Sequence, residues 1–117
     1  MRSFTKQKSA REQELCRTLY AQARNDAAAI VSMIADCYRP VRIVQWGSLL
    51  KPELFRSYSD IDIAVEGITD AESFFTMLMD AEALTRFRVD LVQLEKIEPE
   101  FRRQILALGK VVYERDA

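Results

Sequence analysis

Histidine is absent from all 117 residues of the chain. Its absence removes Ser-His-Asp triads, Cys-His pairs and histidine-ligated zinc as sources of chemistry. Catalysis here must fall to carboxylates, lysine, arginine, tyrosine or a metal held by oxygen. Cysteine is scarce, with only Cys16 and Cys37. Placed on one helix at 1.5 Å per residue, the two stand about 31 Å apart, too far for a disulfide. Two reduced thiols and a cytoplasmic location are therefore expected. Three glycines and three prolines form no linker, and no repeat or low-complexity stretch interrupts the sequence. No apolar run approaches the roughly 20 residues of a membrane-spanning helix. The polar, basic stretch from Met1 to Arg11 is not followed by the apolar run of a secretory signal. Positive charge is not in excess either: the net charge is −1, so no large positive field points to nucleic acid.

What is present describes a soluble globular protein, with 49% hydrophobic and 30% charged residues. The length fits one domain over residues 1–117. Ser9-Ala10-Arg11-Glu12 reads as a capping box with Ser9 as N-cap. Leu15, Leu19, Ala23, Ala27, Ile30, Ile34 and Cys37 then recur at helical spacing, and Pro40 bars continuation. This long helix covers a sheet or presents a surface to a partner. Val41 to Trp46 reads as a strand, broken by Gly47-Ser48, and Leu49 to Tyr58 as a helical turn and loop. Ser59 to Val65 is the clearest strand. Thr69-Asp70-Ala71-Glu72 is a second capping box, opening a helix with Phe74, Phe75, Leu78 and Met79 on its buried side. Phe87 to Leu94 is a third strand. Pro99 opens a last helix with Phe101, Ile105 and Leu108 as its stripe and Gly109 as its stop. Lys110 to Glu114 closes as a strand. The predicted class is α/β (α+β), a mixed sheet of about four strands flanked by helices.

Asp60 and Asp62 are the informative pair. Residues two apart on a strand point to one face, so these carboxylates project together while Ile61 and Ile63 face a core. Two adjacent carboxylates repel each other, a cost that a cation offsets. Oxygen ligands favour magnesium or manganese over zinc. Asp90, in the apolar run Arg88-Val89-Asp90-Leu91-Val92, is a third acid that joins them if its strand is a neighbour. An ion pair of Asp90 with Arg88 or a neighbouring arginine is the rival reading. Three carboxylates suit two metals, one carrying nucleotide phosphates and one activating an attacking oxygen. Gly47 lets the backbone approach a ligand, and Ser48 offers a hydroxyl and N–H groups at the start of a turn, where anions bind. The plainer reading of Gly47-Ser48 is a strand-to-helix turn with a serine cap. Trp46 suits the core, Arg102 and Arg103 the solvent face of the last helix, and Tyr20, Tyr38, Tyr58 and Tyr113 packing.

Trp46-Gly47-Ser48, eleven residues, then Asp60-Ile61-Asp62 resembles the Gly-Ser…Asp-x-Asp signature of the polymerase-β-type nucleotidyltransferase superfamily. The short length resembles its minimal nucleotidyltransferase branch, which includes antitoxins paired with small helical HEPN-domain toxins. The resemblance runs from Val41 to Leu94, and the tail after Pro99 resembles the closing helix and strand of that fold. It implies that Gly47 and Ser48 bind phosphates, that Asp60 and Asp62 bind metal, and that Asp90 is a metal ligand or general base. It implies magnesium or manganese, and ATP as substrate. Many relatives carry an arginine after Gly-Ser where this chain has Leu49-Leu50; Lys51 or Arg56 is the candidate to replace that charge on the triphosphate, and the plainer reading makes both ordinary solvated loop residues. The implied activity is transfer of AMP from magnesium-ATP to a hydroxyl, with tyrosine on a partner HEPN toxin the expected acceptor. No second domain is left to bind an acceptor, so it arrives on another protein, or a second copy completes the pocket. A non-catalytic antitoxin acting by binding, and a small-molecule nucleotidyltransferase, are the alternatives.

Overall fold

The first helix, α1, spans Arg2–Tyr38, about 55 Å at 1.5 Å per residue. The structure, a computed structural model, describes residues 2–116, with side chains from residue 10 onward. Helix α1 begins well before Ser9, so Ser9 is not an N-cap; its side chain lies outside the described residues. The polar stretch upstream contains no proline or glycine, and it extends the helix instead of breaking it. The stripe that α1 buries is also shorter than the spacing suggests. Leu19, Ala23, Ala27, Ile30 and Ile34 are buried, whereas Leu15 is 54% exposed and Cys37 is exposed. Among the described residues, the helix therefore buries side chains only from Leu19 to Ile34. Arg39 closes it with a left-handed φ of 50°, its N–H donating to the Ile34 carbonyl at 3.1 Å. Pro40 disfavours the helical region for the residue before it.

The remaining elements are β1 (Arg42–Trp46), two short 3-10 turns (Gly47–Leu50 and Pro52–Leu54), β2 (Ile61–Glu66), α2 (Ala71–Glu82), β3 (Val89–Gln93), α3 (Pro99–Leu108) and β4 (Lys110–Glu114). They form a four-stranded mixed sheet in the order β3-β2-β1-β4. β1 runs antiparallel to β2 and β4, and β3 runs parallel to β2 through the α2 crossover. Among the described residues, no helix is long and apolar enough to cross a membrane.

The sheet buries its two faces differently. Ile43, Ile61, Ile63, Val65 and Leu91 meet α1 and α2 in the larger core, with Leu49 and Phe55 from the β1–β2 connection. Val44, Ala64 and Leu94 meet Ile105 of α3 in a smaller one, flanked by Trp46, Val92, Ile97 and Phe101. Helix α2 is capped by Asp70, not Thr69: the Asp70 carboxylate accepts from the Ser73 N–H at 2.8 Å. That bond holds the Asp70 carboxyl below its usual range. The helix buries Met77 and Ala81, with Phe74 and Leu78 half-buried, while Phe75 and Met79 are exposed. Leu108 of α3 is likewise exposed. Arg102 is no solvent-face residue. Its guanidinium donates to the Leu94 carbonyl at 3.0 Å and lies 3.8 Å from Glu66, which also pairs with Arg42. Arg103 pairs with Glu100 on the surface.

Gly109 stops α3 in an extended conformation. A Cβ there would lie 2.6 Å from the Ile105 carbonyl oxygen and 2.7 Å from Val44 Cγ1. Glycine is thus needed for close packing of α3 on β1, not for a left-handed turn.

Candidate functional site

Strand β2 presents its side chains alternately. Ile61, Ile63 and Val65 are fully buried against α1 and α2. Asp62 points the other way, toward the face that α3 covers in part, and is half-buried. The parallel register sets Asp62 beside Asp90 on β3. Asp60 lies just before β2, where the Ile61 N–H donates to the Arg88 carbonyl at 2.8 Å. A turn leads the chain into it: Arg56 N–H donates to Ser59 Oγ at 2.9 Å, and Ser59 N–H to the Arg56 carbonyl at 3.0 Å. One carboxylate oxygen from each of Asp60, Asp62 and Asp90 falls within 4.8 Å of the others.

This crowding shows in the electrostatics. The Asp62 carboxyl is pushed up to about 7, first by burial, then by the charges of Asp90 and Asp60 and a hydrogen bond shared with Asp90. Two of the three acids cannot both be charged at that spacing without cost. Asp90 does not pair with Arg88. Arg88 instead reaches Asp60, Nε to Oδ1 at 3.8 Å, with its side chain 87% exposed.

The Gly47 bend abuts the acids from the other side. In the antiparallel register Trp46 stands opposite Asp62, and Gly47 follows with φ +83°. A Cβ at Gly47 would overlap the Asp62 carboxylate, lying 2.8 Å from its Cγ. Gly47 and Ser48 open the first 3-10 turn, which Lys51 ends by donating its N–H to the Ser48 carbonyl at 3.0 Å. Leu49, the first residue after Gly47-Ser48, is 3% exposed and fills the larger core, and its carbonyl accepts from the Tyr20 hydroxyl at 3.0 Å. Trp46 packs edge-on against Phe101, centroids 5.4 Å apart.

Five of the residues named from the sequence thus meet: Gly47 and Ser48 in the bend, and the three acids beside it. Lys51 is exposed at the end of the turn. Arg56 is engaged elsewhere, donating to the carbonyls of Glu53 at 3.0 Å and Phe55 at 2.9 Å. Arg88 was not singled out as a cation of the site. Its place two residues before Asp90, at the entry to β3, is the available signal, since alternate residues of an extended chain share a face.

The donor set fits a hard divalent cation. Magnesium takes oxygen ligands at about 2.0–2.1 Å in an octahedron, which sets neighbouring ligands about 3 Å and opposite ones about 4 Å apart. Three oxygens within 4.8 Å can meet that geometry. The cation would also relieve the repulsion that raises Asp62.

The profile of the family described as polymerase beta, nucleotidyltransferase matches residues 29–117. No curated protein matches the chain in sequence. Among solved structures the chain is similar to a toxin-antitoxin with AMP-PNP, at 24% identity over 77% of this chain and 74% of that one, with a TM-score of 0.64. It is similar to the MntA-HepT toxin-antitoxin at 21% identity over 78% and 72%, TM-score 0.60. A third is the tri-AMPylated Shewanella oneidensis HEPN toxin in complex with MNT antitoxin, at 23% identity over 79% and 72%, TM-score 0.59. At these identities the likeness is one of fold.

Proposed function

Since the chain belongs to the polymerase beta nucleotidyltransferase family, we propose that it transfers AMP from magnesium-ATP to a tyrosine hydroxyl of a HEPN-type toxin, and so acts as an antitoxin. One observation carries this reading: three carboxylates gathered within 4.8 Å, directly against a glycine bend that leaves no room for a side chain. The fold neighbours support the choice of nucleotide and partner, since one holds AMP-PNP and another pairs an MNT antitoxin with an AMPylated HEPN toxin.

In this reading Asp60, Asp62 and Asp90 hold magnesium, with manganese as a substitute. An ion held by these three carboxylates would neutralise phosphate charge and so favour attack at the α-phosphorus. Gly47 and Ser48 receive the outer phosphates at the turn. Lys51, exposed beside them, adds charge. Arg56 would first have to leave two carbonyls, each bond worth about 1 kcal/mol, so it is the weaker candidate. The acceptor oxygen bonds to the α-phosphorus as the bond to pyrophosphate breaks, and the acceptor proton passes to Asp90 or to water. Cys16 and Cys37 are free thiols, which suits the reducing cytoplasm.

The test is direct. Protein, magnesium, labelled ATP and a purified HEPN partner should give label on a partner tyrosine, and Asp60→Asn with Asp62→Asn should abolish it. Absence of transfer to the partner, in a sample that binds magnesium-ATP, overturns the acceptor. A partner neutralised equally well by the double asparagine variant would favour the binding-only alternative.

A further inference from the structure

We propose that Arg88 is the cation that grips the α-phosphate of the bound nucleotide. This rests on the magnesium-nucleotide reading of the acid cluster and goes beyond it by assigning a residue to the reacting phosphate.

Four observations converge. Among the described residues, Arg88 is the only cation paired with an acid of the cluster. The residue after Gly47-Ser48 is the apolar Leu49, locked in the core, and Arg56 is spent on two carbonyls. The backbone of Arg88 is fixed by its carbonyl accepting from Ile61 N–H. Its side chain is nevertheless 87% exposed and its contact with Asp60 is loose, at 3.8 Å, so the guanidinium can swing without loss of packing.

A divalent ion seated on the three acids takes Asp60 away from Arg88 and repels the guanidinium. The displaced cation needs a new anion, and an arginine fork matches phosphate oxygens. Strand order decides which phosphate. Gly47 directly follows β1, Asp62 lies on β2, Asp90 lies on β3 and Arg88 directly precedes β3, where its carbonyl accepts from Ile61 N–H, so the bend and Arg88 flank the acids from opposite sides. With the outer phosphates at the Gly47-Ser48 bend, a phosphate chain crossing the acids brings its α-phosphate to the Arg88 side.

Calorimetry with magnesium and two probes tests this. Arg88→Ala should weaken AMP binding at least about tenfold, the scale of one lost charge-assisted hydrogen bond, and leave inorganic pyrophosphate within about twofold. Arg88→Lys should recover part of the AMP affinity. Magnesium alone should bind both proteins equally, or the alanine variant slightly better. Loss of pyrophosphate affinity instead would place Arg88 on the outer phosphates and overturn the proposal. So would equal AMP affinity in both proteins, or a loss of magnesium affinity matching the loss of AMP affinity, which would make Arg88 a prop for Asp60. A wild-type protein that binds neither probe would overturn the nucleotide reading itself.

Discussion

On β2, Ile61, Ile63 and Val65 are sealed against two helices, while Asp62, Ala64 and Glu66 look toward a face that one helix covers only in part. The first row is uniform hydrocarbon. The second changes character along its length: an acid crowded by two others, a small residue under α3, and a glutamate tied to Arg42 and Arg102. Strand alternation lets one six-residue segment serve stability on one side and chemistry on the other. A half-covered face keeps Asp62 near enough to the interior to be perturbed, yet open enough to be reached.

That division is open to direct attack. Asp62→Asn should give the largest effect, a fall in AMP transfer of at least about a hundredfold, because a metal ligand that also balances transition-state charge is lost. Its urea midpoint should hold or rise, since one of three crowded charges is gone. Ile63→Ala, one residue away, should do the reverse. Truncating a fully buried isoleucine costs about 2–5 kcal/mol, read as a lower midpoint, while the folded fraction keeps its activity. If Asp62→Asn unfolded the protein, or Ile63→Ala spared its stability, the two faces would not divide the work as described.

The glycines sharpen the contrast at the next scale. Gly47→Ala forces a side chain into a left-handed φ, at about 1–2 kcal/mol, and drives a methyl into the Asp62 carboxylate. Magnesium affinity should drop about tenfold if the carboxylate shifts by enough to lose one good metal contact. Gly109→Ala instead presses on Val44 and the Ile105 carbonyl, so it should lower stability and leave magnesium affinity alone. Titrating both variants with magnesium, beside their unfolding curves, distinguishes the bend that faces the ligand from the one that only packs.

Much of this plan was legible in the sequence because it was local. The bounds of β4, the opening of α3 at Pro99 and the alternation through Asp60-Ile61-Asp62 follow from short-range rules. What was not legible depends on partners distant in sequence. Periodicity along α2 gave a stripe, but the side facing the sheet proved to be that of Met77 and Ala81, with Phe75 and Met79 outside. The cap signal at Ser9 was overridden because nothing upstream breaks the helix. Meeting of Asp90 with Asp62, and of Arg88 with Asp60, required the parallel register of β2 and β3, which no local pattern encodes. The burial of Leu49 explains in packing terms why the position after Gly47-Ser48 carries no charge.

The effect most specific to the crowded acids is a dependence on pH. In the metal-free protein the Asp62 carboxyl is raised to about 7 by burial and by Asp90 and Asp60; in the unfolded chain it ionises near 3.9. Between those values the native state holds a proton that the unfolded state has lost. Stability then falls as pH rises, because its slope follows the protons bound unfolded minus those bound native. The contribution is full below about 4 and gone above about 7. Magnesium reverses the sense, since it binds the ionised carboxylates and its affinity grows over the same window. Urea midpoints at a series of pH values should therefore slope downward without magnesium and upward with it, after subtraction of the same series for Asp62→Asn. A metal-free difference curve that is flat from pH 4 to 7 would mean that the three carboxylates are solvated separately, and that the strain a cation is needed to relieve does not exist.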